Sequence, residues 1–358
     1  MVNLYITSNE AYSGKTIITL GLSLILRRRG YRVGYYKPIS LSTIKIDDKF
    51  VDSSIILMKH VLEMPQPYNA ISPINIETTY KYLDVLTQLD GNYVLKTIKE
   101  NFHKYYKDYD IVLINGFRTL TYCGLPGRVC EHSIAKLLGS NILIVVKAIS
   151  EEALGDILTL KNLCMEKDLK VLGVILNMTK HHILSRVDVI KKLLRGENIK
   201  LYGIIPEISE LLNPTLKEVA NYLKAEVLTC KDKLDITYEN ILIGAMTPDL
   251  ALTYFRRIPN KIVITGGDRA DIILTALETD TKAIILTGGV TPSYRVLAKA
   301  EELGVPLLLV SYDTYTTISR VREISGKIKP EDVKRINLVE KVFMKYVNYE
   351  ELIKDMLM

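Results

Sequence analysis

Residues 2–16 read Val2-Asn3-Leu4-Tyr5-Ile6-Thr7-Ser8-Asn9-Glu10-Ala11-Tyr12-Ser13-Gly14-Lys15-Thr16, and the order of residue types in them decides the fold. Val2–Ile6 is a short apolar run of the kind that forms a covered strand, and the residues from Thr16 to Arg29 carry a helical pattern. A turn that joins strand to helix and ends in Gly-Lys-Thr directs main-chain N–H groups at an anion, and the helix adds its positive dipole end. Gly14 permits close backbone approach, Lys15 supplies a cation and Thr16 can place a hydroxyl on Mg²⁺. Ser8, Asn9 and Ser13 complete the candidate cradle. Ser8 or Asn9 stands where a leading glycine is usual; both support tight turns, and Asn tolerates a left-handed backbone. The alternative is an ordinary strand-to-helix turn.

Outward from this loop, apolar runs at Val33–Tyr36, Ile111–Ile114, Ile142–Val146, Val171–Leu176 and Tyr202–Ile205 alternate with amphipathic stretches such as Ala153–Lys167 and Ile183–Leu194. That alternation predicts an α/β domain with a parallel sheet. The polar stretch Glu226–Glu239 lacks periodicity and reads as a boundary. A second alternation follows, with strands at Ile241–Gly244, Ile262–Ile264, Ala283–Leu286 and Pro306–Val310. Ile262-Val263-Ile264-Thr265-Gly266-Gly267 recurs 22 residues later as Ile284-Ile285-Leu286-Thr287-Gly288-Gly289, so two equivalent turns are expected at one sheet edge. The expected domains are 1–230, 235–330 and a helical extension over 331–358.

The chain has 358 residues and a net charge of +6, and its Lys and Arg are spread out. Arg27, Arg28 and Arg29 form the one tight basic run, read as the solvated end of a helix; no nucleic-acid partner is expected. With no Trp, five Phe and 22 Tyr, aromatic packing must rest on tyrosine. Cys123, Cys130, Cys164 and Cys230 match no zinc spacing, and no His is read at a metal-ligand interval from them; His181 and His182 read as a surface pair. Scattered cysteines fit a reducing cytoplasm. The N-terminus opens at once on a strand, and the apolar run near Ile17–Leu26 is too short to span a bilayer. A cytoplasmic, soluble protein without a membrane partner is expected.

With its extended loop before Gly14-Lys15-Thr16, the first domain resembles the dethiobiotin synthetase-like branch of P-loop proteins, which includes cobyrinic acid a,c-diamide synthase. Tyr36-Lys37-Pro38 is similar to that family's Lys-Pro motif, which implies that Lys37 helps bind a phosphate-bearing substrate. Asp110 to Gly116 occupies the position of the second nucleotide motif, with Asn115 where the family has Glu. The resemblance implies metal-binding acids around Asp47–Ser54: Asp52 is retained, Ser53 and Ser54 stand where a second acid is common, and Asp47 and Asp48 are substitutes. It also implies that Asn177 recognises the base and that the loop at Gly203–Pro206 passes over it, with Pro206 in contact. An amide holds a divalent ion less well than a carboxylate, so the hydrolytic parts read as thinned.

Thr265-Gly266-Gly267-Asp268-Arg269-Ala270-Asp271, with Thr287-Gly288-Gly289, resembles the DRTGG domain. Paired glycines after a strand allow positive φ and expose N–H groups. Asp268, Arg269 and Asp271 can anchor the turn through charged hydrogen bonds. Turn building and ligand contact are equally open. The pair of domains resembles the N-terminal regulatory half of long phosphate acetyltransferases. That resemblance implies binding of ATP or a related nucleotide with Mg²⁺, a homodimer through the DRTGG domain, and an acetyltransferase partner in trans. On this reading the chain is a regulatory or sensor protein and not itself an acetyltransferase. The alternative is a weak ATPase or an ATP-dependent carboxylate-activating ligase with Lys15 and Lys37 as catalytic groups.

Overall fold

In a computed structural model of the chain, residues 1–42, 44–46, 49–77, 90–123, 129–324 and 326–358 are described, the side chains of 41–46, 49, 50, 77 and 323 apart. Asp47 and Asp48 lie outside the described residues. By its internal contacts the chain divides into one unit of residues 1–207 with 328–358 and a second of residues 208–327.

The strands are β1 (Val2–Ser8), β2 (Val33–Tyr36), β3 (Ile39–Ser42), β4 (Ile44–Ile46), β5 (Lys49–Val51), β6 (Ile74–Glu77), β7 (Ile111–Asn115), β8 (Asn141–Lys147), β9 (Val171–Thr179) and β10 (Leu201–Pro206) in the first unit. Those of the second are β11 (Glu226–Val227), β12 (Asn240–Ile243), β13 (Lys261–Gly266), β14 (Thr281–Thr287) and β15 (Leu307–Leu309).

Six strands form the first sheet in the order β10-β9-β8-β1-β7-β2, and every pairing is parallel. These are the six apolar runs read from the sequence. All five residues of β7 and the middle five of β8 are buried, as strands covered on both faces require. The chain visits β7 on one side of β1 and then β8 on the other. The loop after β1 therefore emerges where the strand order reverses, the place where open parallel sheets bind ligands. Tyrosine carries the aromatic packing: Tyr5, Tyr35, Tyr36, Tyr106 and Tyr202 are fully buried. The rings of Tyr36, Phe102 and Tyr106 lie 5.0–5.3 Å apart.

The second unit has the sheet order β11-β15-β14-β13-β12, parallel except at β11, which runs antiparallel to β15. The polar stretch read as a boundary contains this edge strand. The helix Leu216–Leu223 buries Leu216, Val219 and Leu223 against Ile262, Ile264 and Ile285 of the same unit. For that reason the division falls at Glu207, ahead of the polar stretch. The helix expected over Ile183–Leu194 is two, His181–Leu184 and Val187–Gly196.

The C-terminal helices Val333–Tyr346 and Tyr349–Leu357 return to the first unit. They meet α1 (Lys15–Arg28), whose basic end is exposed as expected and also ion-paired. Arg28 Nε lies 2.7 Å from Glu340, Arg29 pairs with Glu350, and Arg27 Nη2 lies 3.1 Å from Glu63. Arg28 and Arg29 thus help to seat the returning helices. Among the described residues no helix is long and apolar enough to cross a membrane.

Candidate functional site

The loop after β1 closes on Gly14, which has φ +86° and precedes the first residue of α1. A side chain there would place its Cβ 2.2 Å from Asn177 Nδ2. Only glycine satisfies both the backbone and the space. Asn177 is buried near the end of β9, and its Nδ2 donates to the Ser13 carbonyl at 2.8 Å. The structure thus places the residue assigned to base recognition beneath the loop, as a brace. Asn9 ties the loop sideways: its Oδ1 accepts from the Lys147 N–H at 3.0 Å and its Nδ2 donates to Asp156 at 2.9 Å. Pro206 ends β10 opposite Thr179.

Lys15 Nζ donates to Ser8 Oγ at 2.7 Å and to the Arg118 carbonyl at 2.6 Å. Burial pushes its pKa down to about 8, with the Glu131 carboxylate pulling it up and Lys37 pushing it further down. Glu131 is a buried acid acting on Lys15 that the sequence reading passed over. It is fully buried, accepts from Thr7 Oγ1 at 3.2 Å and accepts from the Arg118 N–H. A side chain on Gly116 would strike its Oε2. An acid on a first helical turn reads as a dipole partner. The remaining signal is that its helix, Glu131–Leu137, follows the loop after β7.

Lys37 and Asp52 come together as a buried ion pair, Nζ to Oδ2 2.7 Å, with side chains 12% and 14% exposed. Lys37 also donates to Ser54 Oγ at 3.1 Å. Asp52 caps α2 (Ser53–Val61) by accepting from the Ser54 N–H at 2.8 Å. Burial works against both charges, but the pairing dominates: the Lys37 pKa is raised and that of Asp52 lowered. In this geometry each charge is offset by the other. Ser54 Oγ lies 3.2 Å from Tyr35 OH. Asn115 Nδ2 lies 3.2 Å from the same hydroxyl and 3.5 Å from Thr16 Oγ1. One polar chain therefore joins Thr16, Asn115, Tyr35, Ser54, Asp52 and Lys37. Ser13 Oγ and Asn115 Oδ1 are buried without a hydrogen-bond partner among the described residues. Orphaned atoms beside a glycine-built cradle fit a polar ligand.

In the second unit, both Thr-Gly-Gly turns sit at the C-terminal edge of their strands. The N–H groups of Gly267, Gly288 and Gly289 donate to the carbonyls of Thr287, Tyr312 and Val310 at 3.1, 2.8 and 2.9 Å. Those donors are spent inside the fold, which favours turn building over anion contact. Thr265 Oγ1 donates to the Gly244 carbonyl at 3.0 Å, and Thr287 Oγ1 lies 2.9 Å from Thr314 Oγ1. Arg269 reaches both Asp271 oxygens at 3.0 Å and the Met246 carbonyl at 3.0 Å, and its guanidinium holds the Asp271 carboxyl below the usual range. Gly266 ends β13, and Asp268 is exposed beside it. The charged residues brace the turn.

The cysteine reading is corrected. Cys123 and Cys130 form a disulfide, and His132, two residues beyond Cys130, lies with them. Cys164 and Cys230 are buried and free.

Compared with known proteins, the chain matches the AAA domain over residues 2–215 and the DRTGG domain over 218–324. Phosphate acetyltransferase of Nitratidesulfovibrio vulgaris is 31% identical over an alignment of 372 positions that covers 98% of this chain and 51% of the relative. The Synechocystis phosphate acetyltransferase is 26% identical over 98% of this chain and 51% of its own. The chain thus spans about half the length of the curated relatives it matches. Among solved structures, cobyrinic acid a,c-diamide synthase from Mycobacterium smegmatis, with bound ADP and magnesium, is 16% identical. It covers 58% of this chain and 87% of its own, with a TM-score of 0.36.

Proposed function

We propose, for a chain that belongs to the AAA-domain family and carries a DRTGG domain after it, the role of a nucleotide-binding regulatory protein allied to phosphate acetyltransferase. The observation that carries this reading is the Gly14 turn at the reversal point of a parallel sheet, with Lys15 at the mouth of α1 and Asn177 bracing it from below. A nucleotide of the ATP type would be held by the loop amides, Lys15 and Thr16. Lys15 would leave Ser8 and the Arg118 carbonyl for phosphate oxygen. Mg²⁺, when bound, would neutralise phosphate charge beside Thr16; Asp52 can join it only by giving up Lys37.

Regulation is favoured over turnover by two features. Asn115 stands where the related ligases carry an acid, and Lys37 is neutralised by Asp52. The DRTGG unit would supply the dimer contact. Tyr294 (84% exposed), Tyr315 (80%) and Val290 (44%) stand at the edge that holds the Thr-Gly-Gly turns, and exposed aromatics mark interfaces. A phosphate acetyltransferase catalytic module is the proposed partner in trans, in the cytoplasm. The second reading, an ATP-dependent ligase or slow ATPase, draws on Glu131, a carboxylate whose charge reaches both Lys15 and Lys37.

The two readings separate on ATP titration with and without Mg²⁺, run beside a phosphate-release assay. The regulatory reading expects saturable binding and no steady release. Release that disappears in Lys15→Ala would instead establish turnover. Binding also carries a pH signature. Lys15 is charged below its pKa of about 8, and bound phosphate favours the charged form. Affinity is therefore level below pH 8 and falls as pH rises through it, until the higher pKa of the complex is reached. Calorimetry at pH 7 and pH 9 should differ about tenfold, one decade per unit above the free-protein pKa.

A further inference from the structure

The proposed nucleotide site does not use the cluster formed by Cys123, Cys130 and His132. The Sγ atoms of both cysteines and an imidazole nitrogen all lie within 4.8 Å of one another. We propose that, once Cys123–Cys130 is reduced, the two thiolates and the His132 imidazole form a binding site for one soft divalent cation of the zinc type.

Two observations converge on this site. His132 Nδ1 is buried and has no hydrogen-bond partner among the described residues. An unpaired buried nitrogen is disfavoured unless something fills its lone pair. A neutral imidazole keeps one ring nitrogen as a lone pair, the atom that metal-binding histidines offer. The sulfurs are already in contact as a disulfide, so reduction releases two thiolates within 4.8 Å of an imidazole nitrogen. Two sulfurs and one imidazole suit Zn²⁺ and exclude Mg²⁺, which prefers oxygen. Three protein ligands leave the fourth tetrahedral position to water.

The chemistry balances with a dithiol reductant. Its thiolate attacks one sulfur and frees the other cysteine as a thiolate. The second thiol of the reductant then closes on the mixed disulfide and frees the first. Two electrons pass to the cysteine pair, and the reductant leaves as its own disulfide. Cation uptake displaces the thiol protons into solvent. The oxidised pair offers no thiolate, so disulfide and cation site are mutually exclusive states. Glu131 lies in sequence between two of the ligands, and its carboxylate accepts from the Arg118 N–H. The site is thus built into the first turn of the helix that carries the buried acid of the loop region.

The test uses the full chain, reduced with a phosphine under anaerobic conditions and titrated with Co²⁺ as the probe. Zn²⁺ is then added in competition with a chromophoric chelator. The expected result is one equivalent of Co²⁺ with a thiolate-to-cobalt charge-transfer band that Zn²⁺ displaces. The band is absent in oxidised protein, lost in Cys123→Ser and Cys130→Ser, and at least about tenfold weaker in affinity in His132→Ala. No charge-transfer band in the reduced chain overturns the proposal, as does uptake unchanged in both serine variants. If a serine variant does not fold, alkylation of the wild-type chain decides. Zn²⁺ must protect Cys123 and Cys130 from iodoacetamide, read by mass spectrometry, and equal labelling with and without Zn²⁺ overturns the proposal.

Discussion

Gly14→Ala removes most nucleotide binding while leaving the first unit folded. Residue 14 holds φ +86°, and a Cβ there meets Asn177 Nδ2 at 2.2 Å. Left-handed backbone at a non-glycine residue costs about 1–3 kcal/mol. Relieving the clash also moves Asn177 off the Ser13 carbonyl, a buried hydrogen bond of about 1 kcal/mol. The loop then relaxes away from the shape that turns its amides inward. A combined loss near 3 kcal/mol is about a hundredfold in affinity. Calorimetric ATP titration of the variant, with far-UV circular dichroism to confirm folding, checks this. Affinity within about threefold of wild type would mean that the turn does not hold the phosphate.

Phe343→Ala should lower the stability of the first unit by about 3–5 kcal/mol, the range for emptying a packed phenylalanine site. Phe343 is 1% exposed on the returning helix Val333–Tyr346. Its side chain sits so close to α1 that a Cβ on Gly21 would lie 2.8 Å from Phe343 Cβ, Cγ and Cδ2. A glycine inside a helix costs about 1 kcal/mol relative to alanine, and this close approach accounts for it. The α1 helix presents Lys15 at its other end, so the C-terminal helices support the element that carries the site. Urea unfolding followed by tyrosine fluorescence and circular dichroism measures the effect. A change under about 1 kcal/mol would show that the contact contributes little.

The sheet was legible because each strand is a near-continuous apolar run between helical patterns, a signal that burial on both faces forces on the sequence. Gly14, Lys15 and Thr16 were legible because a phosphate turn restricts both backbone and charge. Partnership was harder to read. Lys37 and Asp52 are 15 positions apart in a sequence that says nothing of their 2.7 Å contact. The Ser13 contact of Asn177 was hidden because an amide at a strand end can point either way, and its closeness to Gly14 is visible only in the fold. Glu131 was invisible because its burial depends on Thr7, 124 positions away, and on how the loop after β7 folds back at Arg118. Similarly, the pairing of Arg28 and Arg29, exposed at the end of α1, was hidden because their partners Glu340 and Glu350 lie more than 300 residues on. In the second unit the Thr-Gly-Gly repeat marked the turns, but only the register of β13, β14 and β15 reveals that their N–H groups are already taken.

One measurement bears most directly on the account: calorimetric titration of the full wild-type chain with ATP and Mg²⁺ at pH 7, beside Lys15→Ala. The account predicts one saturable site per chain in the wild type and its loss in the variant. A wild-type chain that retains no nucleotide at millimolar concentration, or a variant that binds as well as the wild type, would contradict it.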